Sequence, residues 1–258
     1  MSRLVPALAL VAAFAAPALA RADEAAVLRQ SSSREELEHV AAVLEARGAK
    51  QPDDFDARLG ASIALTQLLA VRSNGNLPLV DGLQDTDANR ALWADLGKRA
   101  LEHARAAEKL RPDSREAAAA LASSYMFYAS SLGIVSSILQ GAGGEYKQHA
   151  QHLVELDPKF DDGLGASLLA NFYLVAPWPV YDRARSLEQF ERAAQIAPGS
   201  VRNQYGLAVF WARDGDVTRA RTHFERVVSQ PCTPNTERLF CDFMKQTARR
   251  ELARLPAR

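Results

Sequence analysis

Apolar positions along the chain recur at helical spacing and stop at prolines. After Ser33, the residues Leu37, Val40, Ala41 and Leu44 fall on one helical stripe, which ends near Gly48 ahead of Pro52. The same arrangement returns with Ala100, Ala104, Ala107 and Leu110 before Pro112, and with Ala150, Leu153 and Leu156 before Pro158. It returns again with Ser186, Phe190, Ala193 and Ile196 before Pro198, and with Ala220, Phe224 and Val227 before Pro231. A proline cannot continue the helix it follows, yet its fixed φ suits the turn into the next one. The pattern therefore predicts a chain of paired helices. Ser33-Arg34-Glu35-Glu36 reads as a capping box at the start of the first stripe.

A second pattern follows the prolines. Leu59-Gly60-Ala61-Ser62 and Leu164-Gly165-Ala166-Ser167 are identical, and Tyr205-Gly206-Leu207-Ala208 occupies the same place in the last unit. A small residue there admits a neighbouring helix, while Tyr173 or Trp211 fills the gap farther on. In these features the chain resembles the tetratricopeptide repeat (TPR), a helix–turn–helix unit of ~34 residues. Val201 to Pro231 is the clearest copy, with Gly215-Asp216 as its internal turn. The unit from Asp161 to Pro198 carries an inserted loop, Val175 to Tyr181, and the earlier units are more degenerate. The expected fold is all-α, a TPR-like repeat solenoid or superhelix. Its C-terminal capping helix is expected over Thr236 to Leu252, started by Asn235 and carrying Leu239, Phe240, Phe243 and Met244 as its apolar residues. An ordinary helical bundle with fortuitous prolines is the alternative.

Two stretches break the pattern. Arg72 to Asn89, with Asn74-Gly75-Asn76 and Pro78, reads as a long polar loop. Ala129 to Gly144 is small or apolar and uncharged, which suits a buried helix with a flexible turn, or a segment lining a groove or an oligomer contact.

The first residues change the picture of where the protein works. Arg3 and the uncharged run Leu4 to Ala20, followed by small residues, read as a signal peptide over 1–22, leaving 23–258 as the repeat domain. A membrane span needs ~20 apolar residues, and this run is shorter and interrupted by Pro6 and Pro17. No Cys lies near the cleavage region, so the reading is a periplasmic or secreted protein without a stable membrane anchor. Loss of Arg3 and Arg21 would leave 29 of the 31 basic side chains against 31 acidic ones, too balanced to attract nucleic acid or anionic membranes.

Cys232 and Cys241 are the two cysteines, and an oxidising compartment makes a structural disulfide the favoured use. Closing so short a loop contributes about 3 kcal/mol in the chain-entropy picture. Chemistry is sparse. His149 and His152 share a helix face without a third ligand at standard spacing, so no metal is expected. Asp53-Asp54 and Asp161-Asp162 stand at helix starts, where carboxylates suit the dipole. No phosphate loop, dinucleotide turn or nucleophile elbow is present, and the expectation is a non-enzyme with no cofactor. Tyr125, Tyr128 and Tyr173 are candidate partner contacts, and Trp178, between Pro177 and Pro179, is the clearest anchor for a partner.

From Glu145 to about Val228 the chain resembles the T-component family of TRAP transporter systems. The residues concerned are Leu156-Asp157-Pro158-Lys159-Phe160-Asp161-Asp162-Gly163, Ala176-Pro177-Trp178-Pro179, Phe190-Glu191-Arg192-Ala193 and Ala197-Pro198. The resemblance implies a helical periplasmic protein that associates with itself, as a homo-oligomer, and with the solute-binding subunit of a transporter for small, often hydrophobic, organic acids. Members of that family are often lipoproteins, which this chain departs from. Three readings stay open: a transporter accessory with a lined hydrophobic cavity, a general envelope scaffold with an open polar groove, and an enzyme with clustered titratable groups.

Overall fold

A computed structural model describes residues 23–75, 86–139, 141–176, 178–233 and 236–256, with the side chains of 134–139 and 236 outside the description. The expected leader, 1–22, lies outside it as well. Helix is the dominant element, and no strand occurs among the described residues. A short helix over 23–30 leads into α1 (Arg34–Lys50) and α2 (Phe55–Arg72). Next come α3 (Asp87–Leu92), a π-helical turn (Trp93–Gly97) and α4 (Lys98–Leu110). Then follow α5 (Arg115–Leu139), α6 (Ala142–Leu156), α7 (Phe160–Val175), α8 (Arg183–Ile196), α9 (Val201–Asp214) and α10 (Val217–Ser229). A 3-10 turn, Thr236–Leu239, precedes the last helix, α11 (Cys241–Arg254). Apart from the short α3, which packs on the π-helical turn and α5, each helix packs on the next long helix in sequence, so the chain is an all-α, TPR-like array.

The repeated glycines explain how closely the hairpins close. A Cβ on Gly206 would lie 2.3 Å from the Phe190 ring, one on Gly165 2.7 Å from Val154 Cγ2, and one on Gly60 3.0 Å from Leu44 Cδ1. Each glycine sits on the helix after a proline, and each partner sits on the helix before it. The bulky side chain is a knob and the glycine is its hole. Ala193, Ala220 and Phe224 are buried in the same register, as the spacing predicts. The α9–α10 turn is made by Gly215 at φ 81°, where a side chain would be strained.

Buried polar groups lock successive units. Asn203, fully buried, donates to the carbonyls of Ala193 and Asp162, each at 2.9 Å. Tyr146 donates to the Leu168 carbonyl at 3.1 Å and Ser186 to the Ala170 carbonyl at 2.9 Å.

The array also meets itself end to end. Arg238 donates to the Ser31 carbonyl at 2.7 Å, across 207 residues of sequence. Phe240 stacks on Phe127, centroids 6.2 Å apart, and the backbone of Gly75 lies against the Leu239 carbonyl. Cys232 and Cys241 are joined by a disulfide that brackets this segment.

Several local expectations need correction. The capping box is half formed: Ser33 accepts from the Glu36 amide at 3.3 Å, but the Glu36 carboxylate turns to the Ser31 hydroxyl, which is nearer the lead-in helix. Helix α1 continues past Gly48, which fits against the Arg58 side chain, and ends at Lys50. The last helix starts at Cys241 rather than Thr236, because residues 236–239 tighten into the 3-10 turn; Asn235 is outside the description. Asp54 caps α2 through the Ala57 amide at 2.9 Å, and Asp161 and Asp162 stand in the first turn of α7. They adopt left-handed backbone there, φ 46° and 59°, and Asp161 pairs with Arg202. The stretch after Ala129 stays helical to a break at Gly133, φ 74°. The polar loop is interrupted by α3, capped by Thr86; residues 76–85, including Pro78, lie outside the description.

Candidate functional site

The helices that follow the prolines, α2, α5, α7 and α9, face one chamber of about 200 Å³. The 3-10 turn and α11 lie across it through Glu237, Phe240 and Met244. Its wall is largely apolar, with Ile63, Met126, Phe127, Leu164 and Leu168 among its residues. Exposed Glu116 and half-buried Phe160 place its rim at the starts of α5 and α7.

The polar groups of the wall fall into two kinds. Some are spent on the scaffold. Glu237, 2% exposed, accepts from the Ser200 hydroxyl at 2.9 Å and from the Val201 and Arg202 amides at 3.2 Å each, an anion on the positive end of α9. The terminal guanidinium nitrogens of Arg202 go to the carboxylate of Asp161, at 3.1 Å, and to its carbonyl.

Other polar atoms have no partner. Asn171 Oδ1, Gln67 Oε1 and Arg202 Nε are buried and make no hydrogen bond. The amide nitrogen of Asn171 donates to the Ser167 carbonyl at 2.9 Å, and that of Gln67 to the Leu28 carbonyl at 2.7 Å. A carbonyl only accepts, so both amides are oriented nitrogen-out and their oxygens are left over.

The aromatic candidates do not gather at this chamber. Tyr125 is buried with its ring 5.2 Å from His149 and 6.4 Å from Tyr128, and Arg105 lies 5.8 Å from its centroid. Burial, reinforced by the Glu145 carboxylate, pushes the Tyr125 phenol up to about 12, so it stays neutral. Burial likewise pushes His149 down. His152 faces the Pro112 carbonyl at 3.1 Å. Tyr173 is buried between Lys147 and Arg185, 5.7 and 5.8 Å from its ring. Trp178 alone of the four projects, 89% exposed, with exposed Val180 and Tyr181 beside it. Pro177 lies outside the description. The described parts of 129–144 do not line the chamber.

A wider hollow of about 700 Å³ beside α1, α2 and α3 includes Arg34, Arg72 and Asp95. No set of three or more His, Cys, Asp or Glu side chains placed to hold a metal occurs among the described residues, and no described helix is long and apolar enough to cross a membrane.

Sequence reading passed over Gln67, Asn171, Arg202 and Glu237. A signal was present for part of the wall. Extending the identical tetrapeptides places Ile63 opposite Leu168 and Thr66 opposite Asn171, and all four line the chamber.

No protein-family model matches the chain, and no curated protein matches it. Among solved structures it is similar to the crystal structure of yeast Tom70, at 14% identity and a TM-score of 0.35, over 85% of this chain and 60% of that one. The chain thus spans 60% of the length of that relative, and at this TM-score the likeness carries no weight for function.

Proposed function

We propose that this chain is an exported TPR-like binding protein, an accessory T component of a TRAP-type transporter that associates with a periplasmic solute-binding subunit. One observation carries the reading: the inner face of the array is crossed by the chain's own Phe240 and Met244 and holds an apolar chamber. An envelope scaffold would need an open polar groove for a peptide or helix. The expected leader at 1–22 supports export, and the projecting Trp178, Val180 and Tyr181 offer a partner an anchor outside the array.

Cross-linking the mature protein in its native compartment, followed by identification of what is recovered, tests the proposal. Recovery of one solute-binding protein, lost in Trp178→Ala, is the expected result. Recovery of envelope-assembly or secretion proteins instead would assign the chain to a general scaffold.

A further inference from the structure

The chamber has the makings of a specific small-molecule site. An apolar cavity of about 150 Å³ accepts benzene, so one of about 200 Å³ takes a compound of about eight or nine non-hydrogen atoms. The apolar wall sets the body of that compound, and the unpartnered atoms set its polar end. Asn171 is 93% buried, its exposure being 7%, and its Oδ1 has no donor. Gln67 Oε1 is a second acceptor without a donor, and Arg202 Nε a donor without an acceptor.

An acceptor without a donor calls for an O–H, and a hydroxyl, with one hydrogen to give, satisfies Asn171 Oδ1. A carboxylate suits the chamber poorly. It would bring its charge among amide oxygens and the Glu237 carboxylate, while the terminal nitrogens of Arg202 are already held by Asp161. An ammonium group would lose its hydration in an apolar enclosure beside that same guanidinium.

We propose that the chamber binds a small uncharged compound with an apolar body and a hydroxyl group, of the phenol or aromatic alcohol class, with Asn171 Oδ1 receiving its hydrogen bond. The site goes beyond the partner reading and does not depend on it. It also differs from the organic acids that the transporter resemblance implies, since those would be carried by the partner subunit.

The test uses the purified mature chain and three compounds of matched size: 4-ethylphenol, ethylbenzene and benzoate. Isothermal titration calorimetry should show 4-ethylphenol binding about tenfold more tightly than ethylbenzene, the share of a hydrogen bond to a buried acceptor, and benzoate not at all. Asn171→Leu should abolish the preference for the phenol while retaining ethylbenzene, and Gln67→Leu should leave the preference in place. Leu168→Trp, which fills the chamber, should remove binding of both. Circular dichroism melts identify variants that fail to fold, and the Leu168→Trp variant keeps the test open if Asn171→Leu does. Tightest binding by benzoate would overturn the proposal, as would binding unchanged in the folded Leu168→Trp variant. Absence of binding by all three compounds would also overturn it, marking the chamber as merely hydrated. These outcomes concern the small-molecule site, while the partner proposal stands or falls separately on the cross-linking experiment.

Discussion

Glu237 buries its carboxylate against Ser200, 37 residues away in sequence, with Oε2 2.9 Å from the serine hydroxyl. Ser200 is itself the cap of α9, so one acid from the C-terminal segment completes the start of an inner helix. Replacing Glu237 with Ala leaves a buried hydroxyl and two amides without their acceptor. A loss of about 2 kcal/mol is expected in urea unfolding, and Glu237→Gln, which keeps one oxygen, should lose less.

Gly206 and Phe190 test the close approach of the hairpins. Gly206→Ala places a methyl 2.3 Å from the Phe190 ring and should cost about 2–3 kcal/mol. Phe190→Leu alone should also destabilise, since the ring is fully buried. The double variant should be more stable than the sum of the two predicts, because the smaller side chain makes room for the methyl. Strict additivity in denaturant midpoints would mean that the two residues do not share one space.

His223 supplies a pH dependence. Burial, with Arg226 close by, pushes its imidazole down to about 4, and its Nδ1 faces Gln204 Oε1 at 2.8 Å. The unfolded chain therefore takes up a proton near the ordinary value of 6.5, while the folded chain resists until about pH 4. Between those values the unfolded state holds more protons, so stability falls as pH falls. Chemical denaturation at pH 7 and pH 5 should show this loss in the native protein and a smaller one in His223→Gln.

The Cys232–Cys241 bond should matter more than its short loop suggests, because the loop carries Glu237, Arg238 and Phe240. Cys241→Ser is expected to lower stability by about 3 kcal/mol on chain entropy alone. A further loss should appear if the bracketed contacts loosen. Reductant should lower the melting temperature of the native protein and leave that of the variant unchanged.

Trp178 makes the opposite prediction. At 89% exposure its removal should change stability by less than about 0.5 kcal/mol, so any loss of partner capture in Trp178→Ala would report on contact and not on folding.

The paired helices were legible because their signals are local: a small or apolar stripe, a proline, then a glycine one turn into the next helix. The knob-and-hole pairs of Gly206 with Phe190 and Gly165 with Val154 follow from that register. The left-handed turn at Asp161 and Asp162 was not legible, because it is held by Arg202 and Asn203 from another repeat, 41 residues on. The chamber escaped for the same reason. Thr66 and Asn171 occupy equivalent repeat positions, but whether they face a solvent groove or an enclosed space depends on where the C-terminal segment comes to rest. Nothing within Thr236 to Met244 announces Phe127 or Ser31 as its neighbours.

That meeting of Arg238 with Ser31 alters the boundary condition of the array. An open solenoid frays from its ends, since each terminal unit has one neighbour and the whole behaves as a sum of pairwise steps. Here the first unit is bonded to the segment that caps the last, so the chain of steps is closed into a loop and neither terminus is a free starting point for melting. Such an array is expected to unfold in a single transition, with the amides of α1 and α11 exchanging with solvent at a common rate.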